Sequence, residues 1–106
     1  MTTDPKTLVD QGKQAFANKK YDEAASSFSE AASAYEALDD PLNAAEMKNN
    51  LSVALLQAGK AQEAYDAAAG TDEVFAQAGD LKRQAMAFGN QAAALDELYI
   101  IFVVLV

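Results

Sequence analysis

The chain of 106 residues contains no histidine and no cysteine. The usual general base and the thiol nucleophile are therefore both missing. Ser26, Ser27, Ser29, Ser33 and Ser52 fall in helical pattern with no base at useful spacing. The 16 carboxylates read as local structure: Asp39-Asp40 precedes Pro41 as a turn, and Asp22-Glu23 opens a helix, where acids complement the dipole. No glycine-rich phosphate loop and no metal-ligand spacing is present, and without cysteine neither a thiolate zinc site nor a disulfide framework can form. The sequence thus predicts no enzyme, no metal and no cofactor. The residues with chemistry left to offer are carboxamides. Asn50 and Asn90 hold the same place in two segments forty residues apart, and each amide carries a donor and an acceptor, the pattern of a peptide unit. The competing reading is that both amides satisfy neighbouring carbonyls inside the fold.

The elements that must position them follow from a repeat. Lys20-Tyr21-Asp22-Glu23-Ala24 returns as Lys60-Ala61-Gln62-Glu63-Ala64, and at the same offset Asp40 matches Asp80, Ala45 matches Ala85 and Leu55 matches Leu95. Self-similarity at such a period is the mark of a helical array. Asp4 before Pro5 starts the first helix, with Leu8, Val9, Gly12, Ala15 and Phe16 on its apolar stripe. Ala24, Ala25, Phe28, Ala31, Ala32 and Tyr35 form the second stripe. Pro41 opens a third helix through Ala44, Met47, Leu51 and Leu55, which stops at Gly59. A fourth runs from about Ala61 to Ala78, with a weak point at Gly70-Thr71-Asp72, and a fifth opens near Leu81. Five helices in two and a half units, joined by short loops, require antiparallel neighbours.

Composition agrees. Apolar residues make up 51% of the chain, and a large share of them is alanine, which favours close-packed helices in one domain. A net charge of −8 with only eight scattered basic residues excludes nucleic acid and disfavours an anionic membrane surface. The N-terminal stretch lacks the apolar core of a signal peptide. Together with the missing cysteines, this fits a cytoplasmic protein.

The residues resemble a tetratricopeptide-repeat (TPR) protein of the long, forty-residue type. The resemblance covers residues 5 to 98. It rests on Gly12 in the small slot of the first helix and on Ala24, Phe28 and Ala31 in the second. Leu51, Ser52, Leu55, Gly59 and Ala64 carry it in the second unit, and Gly89-Asn90 and Leu95 in the third. Ala68 and Thr71 depart from the pattern, so packing there should be looser. The resemblance implies a right-handed solenoid of helix pairs whose first helices line a concave groove for an extended peptide. Asn50 and Asn90 would hold the peptide backbone, with Asp10 in the equivalent first-unit place. Lys6, Val9, Lys13, Phe16, Asn49, Val53, Leu56, Gln57, Met86 and Ala93 would share the inner face. Lys6 and Lys13 suit a peptide with an acidic residue near the first repeat. Val9 stands where the two-carboxylate-clamp variant needs its first lysine, which disfavours chaperone tails as ligands.

The pattern covers residues 1–98 and fails in 99–106. Tyr99, Ile100, Ile101, Phe102, Val103, Val104, Leu105 and Val106 replace the expected loop and sixth helix. Their β-branched character suits a strand or a buried segment better than a surface helix. An apolar run this size must be covered. It could begin a membrane anchor cut short of the ~20 residues a span needs. It could instead fold back over the fifth helix, dock on another copy to give a homo-oligomer, or have no native role.

Overall fold

The computed structural model describes residues 4–105, with side chains to Val104. Helices α1 (Pro5–Ala17), α2 (Tyr21–Ala37), α3 (Pro41–Gln57), α4 (Ala61–Ala68), α5 (Thr71–Gln77) and α6 (Leu81–Leu105) account for nearly all of it, so the fold is all-α. The body measures 45 × 32 × 19 Å, and the thin dimension is about two helix diameters. Neighbouring helices pack side by side: α2 on α1 and α3, α3 on α4 and α5, and α6 on α4 and α5.

One device ends four of the helices, at twenty-residue intervals. Lys19, Asp39, Gly59 and Gly79 adopt left-handed backbone, with φ of 60°, 54°, 82° and 73°. The next residue in each case donates its N–H to the carbonyl five residues back: Lys20 to Ala15, Asp40 to Tyr35, Lys60 to Leu55 and Asp80 to Phe75, at 2.8–3.0 Å. This is the bond pattern of a Schellman cap, which satisfies carbonyls that a helix end would orphan. The forty-residue repeat is therefore built from two caps. Two of the four left-handed sites carry a side chain, which costs energy that glycine would not.

Helix starts are less uniform. Asp40 Oδ1 accepts from the Asn43 N–H at 3.2 Å, and Asp80 Oδ1 accepts from the Arg83 N–H at 3.0 Å, so both aspartates cap. Asp4 makes no side-chain cap, although Pro5 stands at the first helical position as its sequence requires.

The core is mostly alanine. Ala24, Ala31, Ala54, Ala64 and Ala94 are fully buried around Phe28, Met47 and Leu55, and a smaller cluster sets Phe75 against Ala45 and Ala87. Small side chains bring the helices close, and Gly12 does so most sharply: a Cβ there would lie 2.6 Å from the Phe28 ring.

Two expectations are corrected. The fourth helix is not continuous but breaks into α4 and α5, because Gly70 turns left-handed at φ 85°. The described residues therefore form six helices, not five. A cleft of about 320 Å³ opens beside the break, between Glu36, Pro41, Lys48 and Val74, where Ala69 and Gly70 leave room. The second correction concerns the C-terminal run. Tyr99–Leu105 is not a strand, and it does not fold back over the last helix; it extends α6, and Tyr99 to Val104 are exposed rather than buried. Strand preference is worth only tenths of a kcal/mol per residue. A helix already running from Leu81 gains one hydrogen bond per added residue without a new nucleus. No glycine stands at 99 to start the cap found at 59 and 79. The Leu105 side chain and all of Val106 lie outside the described residues.

Candidate functional site: an open cleft and an internal amide network

The residues assigned to one groove occupy two different environments. On α1, Lys6, Val9, Lys13 and Phe16 recur at helical spacing. On α3, Asn50, Val53 and Gln57 do the same. Lys13, Phe16, Asn50 and Val53 meet with Phe28 of α2 around an open cleft of about 200 Å³. The Phe28 ring is its buried floor. Phe16 is braced by Tyr21 across the α1–α2 turn, ring centroids 5.2 Å apart and edge to face. The Asn50 amide makes one weak contact, Nδ2 to Met47 Sδ at 3.9 Å, which leaves its oxygen and most of its donor capacity for a ligand. Gln57 is exposed further along the α3 stripe.

Asn49 and Asn90 lie elsewhere. Asn49 is buried, and its Oδ1 accepts from Asn90 Nδ2 at 3.1 Å. Thr71 Oγ1 stands 3.3 Å from the same oxygen and 2.7 Å from the Ala68 carbonyl, to which its single proton is better directed. Gln91 Nε2 also reaches the Ala68 carbonyl, at 3.3 Å, and Asp72 Oδ1 at 3.2 Å. The network therefore repairs the α4–α5 break. Ending α4 orphans the Ala68 carbonyl, and side chains from α5 and α6 take the place of the missing helix bonds. Asn90 thus gives one amide hydrogen to Asn49 from a half-buried position, while Asn50 is the asparagine that lines the cleft. Spacing alone could have shown the burial of Asn49, which shares a face of α3 with buried Ala45 and Ser52. Nothing in the sequence marked Thr71 and Asn90 as its neighbours, or Gln91 as a donor to the Ala68 carbonyl.

Met86 is 56% exposed on α6 and lines no part of the cleft. Tyr99, Ile100, Ile101, Phe102, Val103 and Val104 stand on the free end of α6, away from it. At the other end of α6, Arg83 reaches Asp80 at 3.0 Å and Glu46 at 3.4 Å. The Arg83 backbone N–H, together with its guanidinium, holds the Asp80 carboxyl below its ordinary 3.8. The hydrogen bond to Asp80 in turn raises the Arg83 pKa. This is structural pairing at a helix start rather than a reactive constellation.

Compared with protein-family models, with curated proteins and with solved structures, the chain matches none.

Proposed function

We propose that this chain is a non-enzymatic interaction module of the TPR type, a right-handed solenoid of helix pairs that holds an extended peptide against α1 and α3. The observation that carries the reading is the cleft in which Lys13, Phe16, Asn50 and Val53 converge over Phe28. Its parts suit a peptide. Phe16 and Val53 give an apolar seat for one side chain, Asn50 offers a donor and an acceptor to the main chain, and Lys13 attracts an acidic residue beside it. The twenty-residue recurrence of the helix-ending cap supports the solenoid part of the reading. Such a small cleft suits contacts of micromolar strength.

A random peptide library displayed on phage, panned on the immobilised full chain, tests the proposal. Enriched peptides should pair an apolar residue with a nearby Asp or Glu. Binding should fall at least ~10-fold in Asn50→Ala and Val53→Glu, the loss of one hot-spot contact. Asn90→Ala should leave it unchanged, since that amide faces Asn49. Failure to enrich any peptide, or equal capture by Val53→Glu, would overturn the reading.

A further inference from the structure

Helix α6 is about 37 Å long by its residue count and carries two apolar stripes. One is used: Gln84, Ala87, Gln91, Ala94 and Leu98 are buried or half-buried along the side that meets α4 and α5. The other is unpartnered. Leu81, Phe88, Leu95 and Phe102 lie seven residues apart, with Ala85, Ala92 and Tyr99 between them at the alternating four- and three-residue steps of a helix–helix seam. Every one of these residues is exposed, Leu81 by 74%, Phe88 by 51%, Tyr99 by 66% and Phe102 by 67%. All four charges of α6, Lys82, Arg83, Asp96 and Glu97, fall off this stripe.

We propose that the occupant of the second stripe is a second copy of the same helix, packed antiparallel about a twofold axis at Ala92. The stripe is self-complementary in that register: Leu81 faces the partner's Phe102, Ala85 faces the partner's Tyr99, Phe88 faces the partner's Leu95, and alanine meets alanine at the axis. Large residues oppose small or differently shaped ones, and the central alanines allow close approach, as an isologous contact requires. Charge selects the antiparallel sense. It sets the Lys82-Arg83 start of each α6 beside the Asp96-Glu97 half of the other, whereas a parallel pair would set like beside like. The large stripe residues offer roughly 100 Å² each, so a dimer would bury on the order of 1,000 Å², enough for a specific interface.

A bilayer is the rival occupant, because Leu81–Val104 is apolar and long enough to cross one by composition, with a mean hydropathy of 1.2. Asp96 and Glu97 stand about two-thirds of the way along that span, inside it, where a carboxylate is costly. In the helix pair they stay in water. This association uses a face away from the cleft, so it does not depend on the peptide-holding reading.

Sedimentation velocity of the full chain across a ~1–300 μM series tests it. The expected result is a concentration-dependent rise to twice the 11.2 kDa chain mass. Phe88→Glu and Leu95→Glu should each shift the midpoint on the order of 100-fold, with helicity unchanged because both positions are exposed. Register is read with single cysteines, since the chain has none of its own. Ala92→Cys should oxidise to a covalent dimer across the axis, where Cα atoms must approach within about 7 Å. Ala93→Cys, about 100° around the helix, and Leu81→Cys, far from its own copy in the antiparallel register, should not. A monomer throughout, a dimer insensitive to both Glu variants, or Leu81→Cys linking as readily as Ala92→Cys would overturn the proposal. So would a monomer that instead partitions into phosphatidylcholine vesicles.

Discussion

Replacing Gly12 with alanine pits helix propensity against packing, and the structure decides the winner. Gly12 is buried in the middle of α1, where alanine would ordinarily gain about 0.5–1 kcal/mol. The added Cβ would stand 2.6, 2.8 and 3.0 Å from Cε1, Cδ1 and Cζ of Phe28. Carbon atoms prefer about 3.5–4.0 Å, so ring or helix must move by up to about 1 Å. The ring is only 3% exposed and hemmed in by the central core. Overpacking of this kind costs about 1–3 kcal/mol, which exceeds the propensity gain, and a net loss of about 1–2 kcal/mol follows. Urea unfolding followed by helical circular dichroism measures it, with the midpoint moving at constant slope. The control is Phe28→Leu, which removes the ring. In that background Gly12→Ala should stabilise by about 0.5–1 kcal/mol, so the double-mutant cycle changes sign. If Gly12→Ala stabilises the parent chain, the close approach does not exist and the argument fails. The same displacement would disturb the cleft, because Phe28 is its floor.

Further outcomes follow from the caps and the amide network. Lys19→Gly and Asp39→Gly should each stabilise by about 0.5–1 kcal/mol by relieving left-handed backbone, and Gly59→Ala should destabilise by about 1 kcal/mol; thermal melts read all three. Asn49→Ala leaves the Asn90 amide without its acceptor and should cost about 1–3 kcal/mol, measured by urea unfolding, while Asn50→Ala on the cleft side should change stability by less than about 0.5 kcal/mol. The Asp80 carboxyl is held below its ordinary 3.8 in the folded chain, so the folded state binds its proton more weakly than the unfolded. Its contribution is complete above that value and is lost as pH falls through the folded pKa. Melting temperature measured from about pH 5 to 2.5 should fall less steeply in Asp80→Asn than in the parent.

The helical class, the turns and most of the core were legible in the sequence because they depend on local information. Apolar spacing at 3.6 residues per turn, Pro41, Gly59 and Gly79 act through a few neighbouring dihedrals and need no distant partner. Asp40 and Asp80, paired by the repeat, serve as equivalent caps for the same reason. The break at Gly70 was visible as a weak point. Its extent was not, because it depends on Thr71, Gln91 and the Ala68 carbonyl meeting across three helices.

Tertiary structure alone decided which asparagine faces water. Asn49 and Asn50 differ by about 100° around α3, and that rotation sends one amide to Asn90 and the other to the cleft. It also decided the fate of Tyr99–Leu105. Composition favours a strand there, but a strand needs a partner edge and finds none among the described residues, whereas α6 needs only its own preceding turn to continue. Local rules set where helices start and stop; contacts between distant segments set which side chains remain to meet a partner.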